Sequence, residues 1–215
     1  MTRTLLVMLS TLAIATPALA QQHQHQHSAE HAMHQGGEFP AGWSARTDRS
    51  APLDNVHFMT HEDGFHAITG PAAVFYNPEW RKSGNYRVAA RLAQTKAPQH
   101  PEAYGIVIGG RNLDADEQAY SYFLVRQTGE YFVATRQGAE RKVVVNWTAH
   151  PAIQRPNAEG RAANLLAVEV RGNEVVFAIN GTEVGRRPRS EIETNGLFGF
   201  RINHNLDVMV DQITR

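Results

Sequence analysis

The amino-acid sequence predicts an all-β protein, an antiparallel β-sandwich (jelly roll) preceded by a disordered His-rich tail. Three observations favour this fold. Apolar residues alternate with others in many short segments after Phe39, a period typical of strands with one buried face. Turn residues separate these segments at short spacing. No stretch of ten residues has clear helical spacing.

Residues 1–20 are predicted to be a secretory signal peptide. Arg3 supplies a positive charge, residues 5–14 form a short apolar core, and residues 18–20 read Ala-Leu-Ala, a small-x-small cleavage site. The apolar run is too short to be a stable membrane anchor, and no second apolar run suggests a membrane span. We therefore expect an exported protein, in the periplasm or outside the cell.

Residues 21–38 are predicted to be a disordered linker rich in His and Gln, because they offer almost nothing apolar to bury. The candidate metal ligands of this segment are His23, His25, His27, His31 and His34. Imidazole binds Cu²⁺, Ni²⁺ and Zn²⁺. After cleavage the chain would begin Gln-Gln-His, whose amine, amide and imidazole nitrogens suit square-planar Cu²⁺ or Ni²⁺. The alternative is a solubilising linker with incidental histidines.

The composition excludes several classes of function. The chain has no cysteine, which rules out thiol catalysis, haem attachment through Cys and Cys-based zinc sites. Removal of residues 1–20 takes away only Arg3, which leaves 21 − 1 = 20 basic against 21 acidic residues. This balance offers no basic excess for nucleic acid or an anionic membrane surface.

The domain is predicted to occupy residues 39–215, and its strands follow in order. The predicted strands are residues 56–60, 65–69, 72–76, 86–93, 104–110, 119–126, 131–136, 142–147, 162–171, 174–179, 196–203 and 206–214. Residues 62–64 form the turn of a first hairpin, and residues 127–130 join two strands of a meander. The spacing is that of a sandwich or jelly roll.

The C-terminal hairpin has the clearest pattern. Leu166 and Val168 are expected on the same side as Val175 and Phe177 across a Gly-Asn turn. The pair Asn180-Gly181 is the strongest two-residue hairpin signal, because both residue types tolerate positive φ.

The succession of strands resembles a known family. The segments Tyr-Gly-Ile-Val-Ile-Gly-Gly-Arg (104–111), Tyr-Ser-Tyr-Phe-Leu-Val-Arg (120–126), Val-Phe-Ala-Ile-Asn-Gly (176–181) and Gly-Leu-Phe-Gly-Phe (196–200), with Trp147, are similar to a concanavalin A-like lectin/glucanase jelly roll. Within that group the chain is similar to laminin-G-like and 3-keto-disaccharide hydrolase-type domains, over residues 43–215. The resemblance implies two packed sheets and, in sugar-binding relatives, a ligand on the concave face or its rim.

Catalytic glucanases of this fold carry acidic residues at alternate positions of one strand, which places nucleophile and acid on one face. No such strand is found here. The nearest acidic groups, Asp114, Asp116 and Glu117, precede a strand, and Glu191 and Glu193 lie in an Arg-rich connection. The sequence therefore leaves enzymatic activity open and favours a binding module.

A sugar site needs aromatic rings for stacking and planar groups for hydrogen bonds. The candidate ligand-binding residues are Tyr104, Arg111, Tyr120, Tyr122, Arg126, Trp147, Arg201 and His204. Tyr120, Tyr122 and Arg126 share one strand face, and Arg201 faces away from its neighbours Phe200 and Ile202. The alternative for each residue is ordinary packing or solvation.

Two segments of the domain offer further candidate metal ligands. Asn112, Asp114, Asp116 and Glu117 offer oxygen ligands for Ca²⁺ without EF-hand spacing, so a solvated loop is the alternative. His57, His61 and His66 straddle the first hairpin and would suit zinc only if they converged. No Gly-x-Ser-x-Gly elbow and no phosphate-cradling Gly loop is present.

These observations leave four functions in order of preference. The first is a non-catalytic module that binds a carbohydrate or similar polar ligand. The second is a saccharide hydrolase with an unusual acid pair. The third is a periplasmic metal-binding protein that acts through its His-rich tail. The fourth is a structural domain with a protein partner.

Overall fold

The computed structural model describes residues 39–48 and 51–215, and the predicted signal peptide and His-rich tail lie outside them. The described residues form an all-β sandwich with only two short 3-10 turns. The strands are β1 (Ser44–Thr47), β2 (Val56–His61), β3 (Gly64–Thr69), β4 (Ala73–Lys82), β5 (Tyr86–Gln94), β6 (Ala103–Arg111), β7 (Ala119–Arg126), β8 (Glu130–Gln137), β9 (Glu140–Ala149), β10 (Ala162–Arg171), β11 (Glu174–Ile179), β12 (Thr182–Pro188), β13 (Gly196–Ile202) and β14 (Asp207–Thr214).

The strands form two seven-stranded sheets. The first sheet has the order β1-β4-β13-β6-β7-β8-β9, and the second has the order β12-β11-β10-β5-β14-β3-β2. The strand pairs are antiparallel. The predicted fold class is confirmed.

The main core lies between the two sheets, because alternate residues of each strand face inward. The first sheet contributes Ile106, Phe123 and Phe200, and the second contributes Leu92 and Phe177, each almost completely buried. Burial of one such side chain contributes about 1.5–3 kcal/mol. This core holds the sandwich together without a disulfide.

The C-terminal hairpins follow the turn chemistry of the sequence. Arg171 pairs with Glu174 across a two-residue turn, as expected for Gly-Asn. Asn180 and Gly181 both have positive φ, 51° and 81°, and join β11 to β12 as a two-residue turn.

The sequence did not single out β1, and β4 continues six residues beyond the predicted end at residue 76. β1 is a short edge strand that pairs, among the described strands, with β4 alone. Its pattern is weak because only Thr47 of its four residues is buried. Within the described ranges, no helix is long and apolar enough to cross a membrane.

Candidate functional site

The outer surface of the first sheet carries aromatic and arginine side chains together. On β7, Phe123 and Val125 face the main core, so Tyr120, Tyr122 and Arg126 at the alternate positions face outward. Residues of β8, β9 and β13 extend this surface. We call it the aromatic face, formed by Tyr120, Tyr122, Arg126, Phe132, Arg141, Trp147 and Arg201.

The aromatic rings form one row across three neighbouring strands. The ring centroids of Tyr120 and Tyr122 on β7 are 5.7 Å apart. Tyr122 is 6.1 Å from Phe132 on β8, which stacks on Trp147 of β9 at 4.8 Å with 30° between the planes. These separations are those of favourable aromatic pairs. The row therefore runs from the middle of the sheet to its β9 edge.

Three guanidinium groups lie over rings of this row. The Cζ atom of Arg126 is 4.1 Å from the centroid of Trp147, that of Arg141 is 5.8 Å from Phe132, and that of Arg201 is 5.5 Å from Tyr122. A cation over a ring contributes about 0.5–2 kcal/mol, more where water is excluded. The arginines are thus held in place by the rings.

The end of the row at Tyr120 is buried. Arg201 is 8% exposed and makes a bidentate ion pair with Asp48, with N–O distances of 2.9 and 2.5 Å. It also donates to the Tyr120 hydroxyl at 3.3 Å. Its cross-strand neighbour on β6 is Gly105, which has no side chain in the way. Burial would lower the pKa of Arg201, but the hydrogen bond to Asp48 outweighs it and the pKa is raised.

The β6–β7 connection packs on this buried end. Leu113 is 2% exposed and belongs to the same apolar cluster as Tyr120 and Tyr122. Arg46 on β1 donates to the backbone oxygens of Leu113 and Ala115, which ties the connection to the edge of the sheet. The Tyr120 end therefore has a structural role.

The end of the row at Trp147 is accessible. Trp147 is half-buried, and beside it Arg126 pairs with Glu130, with a shortest N–O distance of 2.6 Å and both side chains 23% exposed. Thr128 donates to the same carboxylate at 2.5 Å. Because Arg126 also lies over Trp147, the indole, guanidinium and carboxylate form one small polar-aromatic patch.

The two carboxylates paired with arginines on this face have pKa values below the usual range. Hydrogen bonds from Thr128 and Arg126 lower the pKa of Glu130. Burial would raise the pKa of Asp48, but the hydrogen bond and charge of Arg201 outweigh it. Both groups are therefore ionised at neutral pH, whereas a general acid needs a raised pKa.

Three of the predicted ligand residues lie away from the row of rings. Tyr104 faces the main core, is 2% exposed, and burial raises its pKa to about 12. Arg111 ends β6 and pairs with Glu193 at 2.9 Å. His204 is exposed in the β13–β14 turn, 3.8 Å from Glu102. The structure brings together the other five, Tyr120, Tyr122, Arg126, Trp147 and Arg201.

Sequence reasoning missed four residues of this surface, namely Phe132, Arg141, Glu130 and Asp48. The alternation of β8 could have found Phe132, since Tyr131 and Val133 on either side face the core. Asp48 lies 153 positions from Arg201 in the chain. No local pattern in the sequence predicts an ion pair between residues so far apart in the chain.

The predicted metal ligands do not converge in the part of the chain that the structure describes. Residues 39–48 and 51–215 contain no group of three His, Asp or Glu side chains that could hold a metal ion. Asp116 pairs with Arg46 at 3.5 Å, and His66 pairs with Asp207 at 2.6 Å. The five tail histidines lie outside the described residues.

Comparison with known proteins identifies relatives of the fold only. No protein-family model matches the chain, and no curated protein matches it in sequence. Carbohydrate-binding module 66 from Bacillus subtilis aligns with a TM-score of 0.57 and 12% identity, over 80% of this chain and 94% of that one. A Bacteroides ovatus family 16 glycoside hydrolase bound to a product aligns with a TM-score of 0.53 and 11% identity, over 85% and 99%.

A β-glucanase from Bacillus licheniformis has a TM-score of 0.52 and 8% identity, over 84% of this chain and 95% of that one. The expected concanavalin A-like lectin/glucanase fold is therefore confirmed. The narrower likeness to laminin-G-like and 3-keto-disaccharide hydrolase-type domains stays a prediction.

Proposed function

We propose that this protein is an exported, non-catalytic module that binds a carbohydrate at the accessible end of the aromatic face. The observation that supports it is the patch of Trp147, Arg126 and Glu130, at the end of a continuous row of rings. The other end of the row is buried, so the ligand contacts the β8–β9 side of the sheet.

The patch has the chemistry that a sugar requires. A pyranose presents C–H groups that pack on rings, and hydroxyl groups that both donate and accept hydrogen bonds. Arg126 supplies donors and Glu130 supplies acceptors in fixed positions. Because Thr128 and Trp147 already hold these two side chains, less side-chain entropy is lost when a ligand binds.

A hydrolase of the same fold is the runner-up, and the site does not favour it. Glycoside hydrolysis requires one carboxyl with a raised pKa and a second carboxylate. The pKa values of Asp48 and Glu130 are shifted in the opposite direction. Release of reducing ends from a saccharide that the protein binds, lost in Glu130→Gln, would nevertheless reverse this assignment.

Titration calorimetry against a panel of neutral oligosaccharides tests the proposal. We expect one saccharide class to bind, and Trp147→Ala to weaken its affinity by about tenfold or more, since the ring contact is lost. Arg126→Gln is expected to weaken it similarly through the lost hydrogen bonds.

Arg186→Gln is the matched control. Arg186 forms a comparable short-range ion pair with Glu183 on β12 of the second sheet, and both side chains are exposed. The Arg186→Gln variant should bind the saccharide with the same affinity as the wild type. Unchanged binding in Trp147→Ala and Arg126→Gln would refute the site. Recovery of the mature protein from the culture medium or a periplasmic extract tests export.

A further inference from the structure

A cavity lies on the outer face of the second sheet, on the surface of the molecule opposite the aromatic face. It has a volume of about 610 Å³ and lies between β5, β10, β14 and the β9–β10 connection. Its floor is a cross-strand row, since Ala93 of β5 pairs with Ala163 of β10 on one side and Met209 of β14 on the other. The small alanines create a flat recess, and Met209 is 37% exposed beside it.

The wall of this cavity is cationic. Arg91, Arg155 and Arg161 line it, and none of the lining residues that the structure describes is acidic. Arg91 binds Asp211 through Nη1 at 2.7 Å. In residues 39–48 and 51–215, Arg155 and Arg161 have no carboxylate within 4.0 Å. Arg155 lies near Gly129 and contributes to the lowered pKa of Glu130, so Arg161 is the least engaged of the three.

The segment that carries Arg161, residues 157–161, is held in one conformation before any ligand binds. The Asn157 side chain accepts from the backbone N–H of Arg161 at 2.9 Å, and Gln94 donates to the Gly160 oxygen at 2.7 Å. Gly160 has φ of 78°, and a Cβ there would lie 2.2 Å from the nitrogen of Ala97. A preorganised segment loses little entropy when a ligand binds.

A buried polar atom at the cavity also lacks a partner. Gln94 is 1% exposed and lines the cavity, and its Oε1 has no hydrogen-bond partner within the described ranges. An unsatisfied buried acceptor costs about 1–3 kcal/mol. A donor brought in by a bound ligand or a water molecule would offset that cost.

We propose that this cavity is a second binding site, specific for a carboxylate-bearing ligand of about monosaccharide size. Guanidinium groups recognise carboxylates with two parallel hydrogen bonds, and Arg91 already pairs with one carboxylate, that of Asp211, through a single hydrogen bond from Nη1. The described residues that line it include no aromatic ring, so they offer a neutral sugar no stacking partner. The cavity lies on the second sheet, whereas the aromatic face belongs to the first.

The test compares ligands that differ only in the carboxylate. D-glucuronate and D-glucose are titrated separately into protein labelled with ¹³C on methionine methyl groups. We expect glucuronate to shift the Met209 methyl resonance in a saturable way and glucose to leave it unchanged. Tartrate, a carboxylate without a sugar ring, distinguishes a sugar-acid site from a general carboxylate site.

Arg161→Gln is expected to weaken glucuronate binding by about tenfold, because a charge-assisted hydrogen-bonded pair is lost. Arg171→Gln, an exposed arginine at the other end of β10, is the matched control and should bind as the wild type does. Trp147→Ala should also leave glucuronate binding unchanged, which separates this site from the aromatic face. Equal shifts with glucose and glucuronate, no saturable shift with any carboxylate, or equal affinity in Arg161→Gln would overturn the proposal.

Discussion

At the residue scale, the most consequential interaction is the ion pair of Asp48 and Arg201. It is largely buried, bidentate and extended by the Tyr120 hydroxyl. Burial of an ion pair carries a desolvation cost. Removing one partner therefore destabilises the protein more than replacing both, because the remaining charge is buried without a counterion. It fixes the rings at the closed end of the aromatic face, and thereby the row that reaches Trp147.

Asp48→Asn is expected to reduce the free energy of unfolding by about 3–5 kcal/mol, because Arg201 would keep a buried charge without a counterion. Urea denaturation measures this loss. Glu183→Gln is the control, since its ion pair with Arg186 is exposed and its loss should change stability much less than that of the buried pair. The double variant Asp48→Asn/Arg201→Met should recover part of the loss. A loss below about 1 kcal/mol in Asp48→Asn would contradict this role.

The same pair predicts a pH dependence. The pKa of Asp48 is lower in the folded protein than in the unfolded chain. Its stabilisation is therefore complete above the unfolded pKa of about 4 and is lost as the pH falls through the lower folded value. The stability difference between wild type and Asp48→Asn should shrink below about pH 4, measured by urea denaturation across pH. A difference that stays constant down to pH 2 would count against the assignment.

At the element scale, the β9–β10 connection is held by two asparagines, Asn164 on β10 and Asn180 in the β11–β12 turn. Asn164 accepts from the Gln154 backbone N–H at 2.8 Å and donates to the Gln154 oxygen at 3.1 Å. Asn180 donates to Asn164 at 2.9 Å and to the Ala152 oxygen at 2.8 Å. One turn residue thus orders both a hairpin and the segment that leads to Arg161.

Asn180→Ala is expected to cost about 1–3 kcal/mol of stability, since it removes these hydrogen bonds and places Ala at a φ of 51°. Thermal denaturation measures the change, and hydrogen exchange should show faster exchange in residues 151–161. Asn173→Ala, in the exposed turn at the other end of β11, is the matched control and should have a smaller effect. Unchanged exchange in that segment would show that Asn180 does not order it.

At the scale of the whole molecule, one core joins both sheets. Phe123 of the first sheet packs on Phe177 of the second at 5.1 Å between ring centroids. Phe65 on the second sheet similarly contacts Phe200 on the first at 5.3 Å. Because these contacts cross the sandwich, the two sheets should unfold together.

Phe123→Ala is expected to lower the unfolding free energy by about 3–5 kcal/mol through lost burial and a cavity. Tryptophan fluorescence and far-UV circular dichroism should report one common midpoint in both the wild type and the variant. Val143→Ala, at a position that is 43% exposed on β9, is the control and should change stability by about 0.5 kcal/mol or less. Separate midpoints for the two probes would show that the sheets unfold independently.

The sequence determined most of the strands, the two-residue turns and the faces of the best alternating strands. These features are local. A period of two places Tyr120 and Phe123 on opposite faces of the same strand, and the residue types of Asn180-Gly181 permit positive φ. The same alternation correctly turned Arg201 away from Phe200. It failed for Tyr104, because the strand 104–110 is apolar on both sides and its pattern does not say which side faces the core.

The tertiary structure alone decided which distant residues meet. Asp48 reaches Arg201, and Gln94 reaches Gly160, across long separations in the chain. The β6–β7 connection packs on the Tyr120 end of the aromatic face, which is buried. Sheet order and loop packing depend on the sum of many weak contacts between distant segments, so they leave no periodic trace in the sequence, whereas hydrogen-bonded turns and strand alternation do.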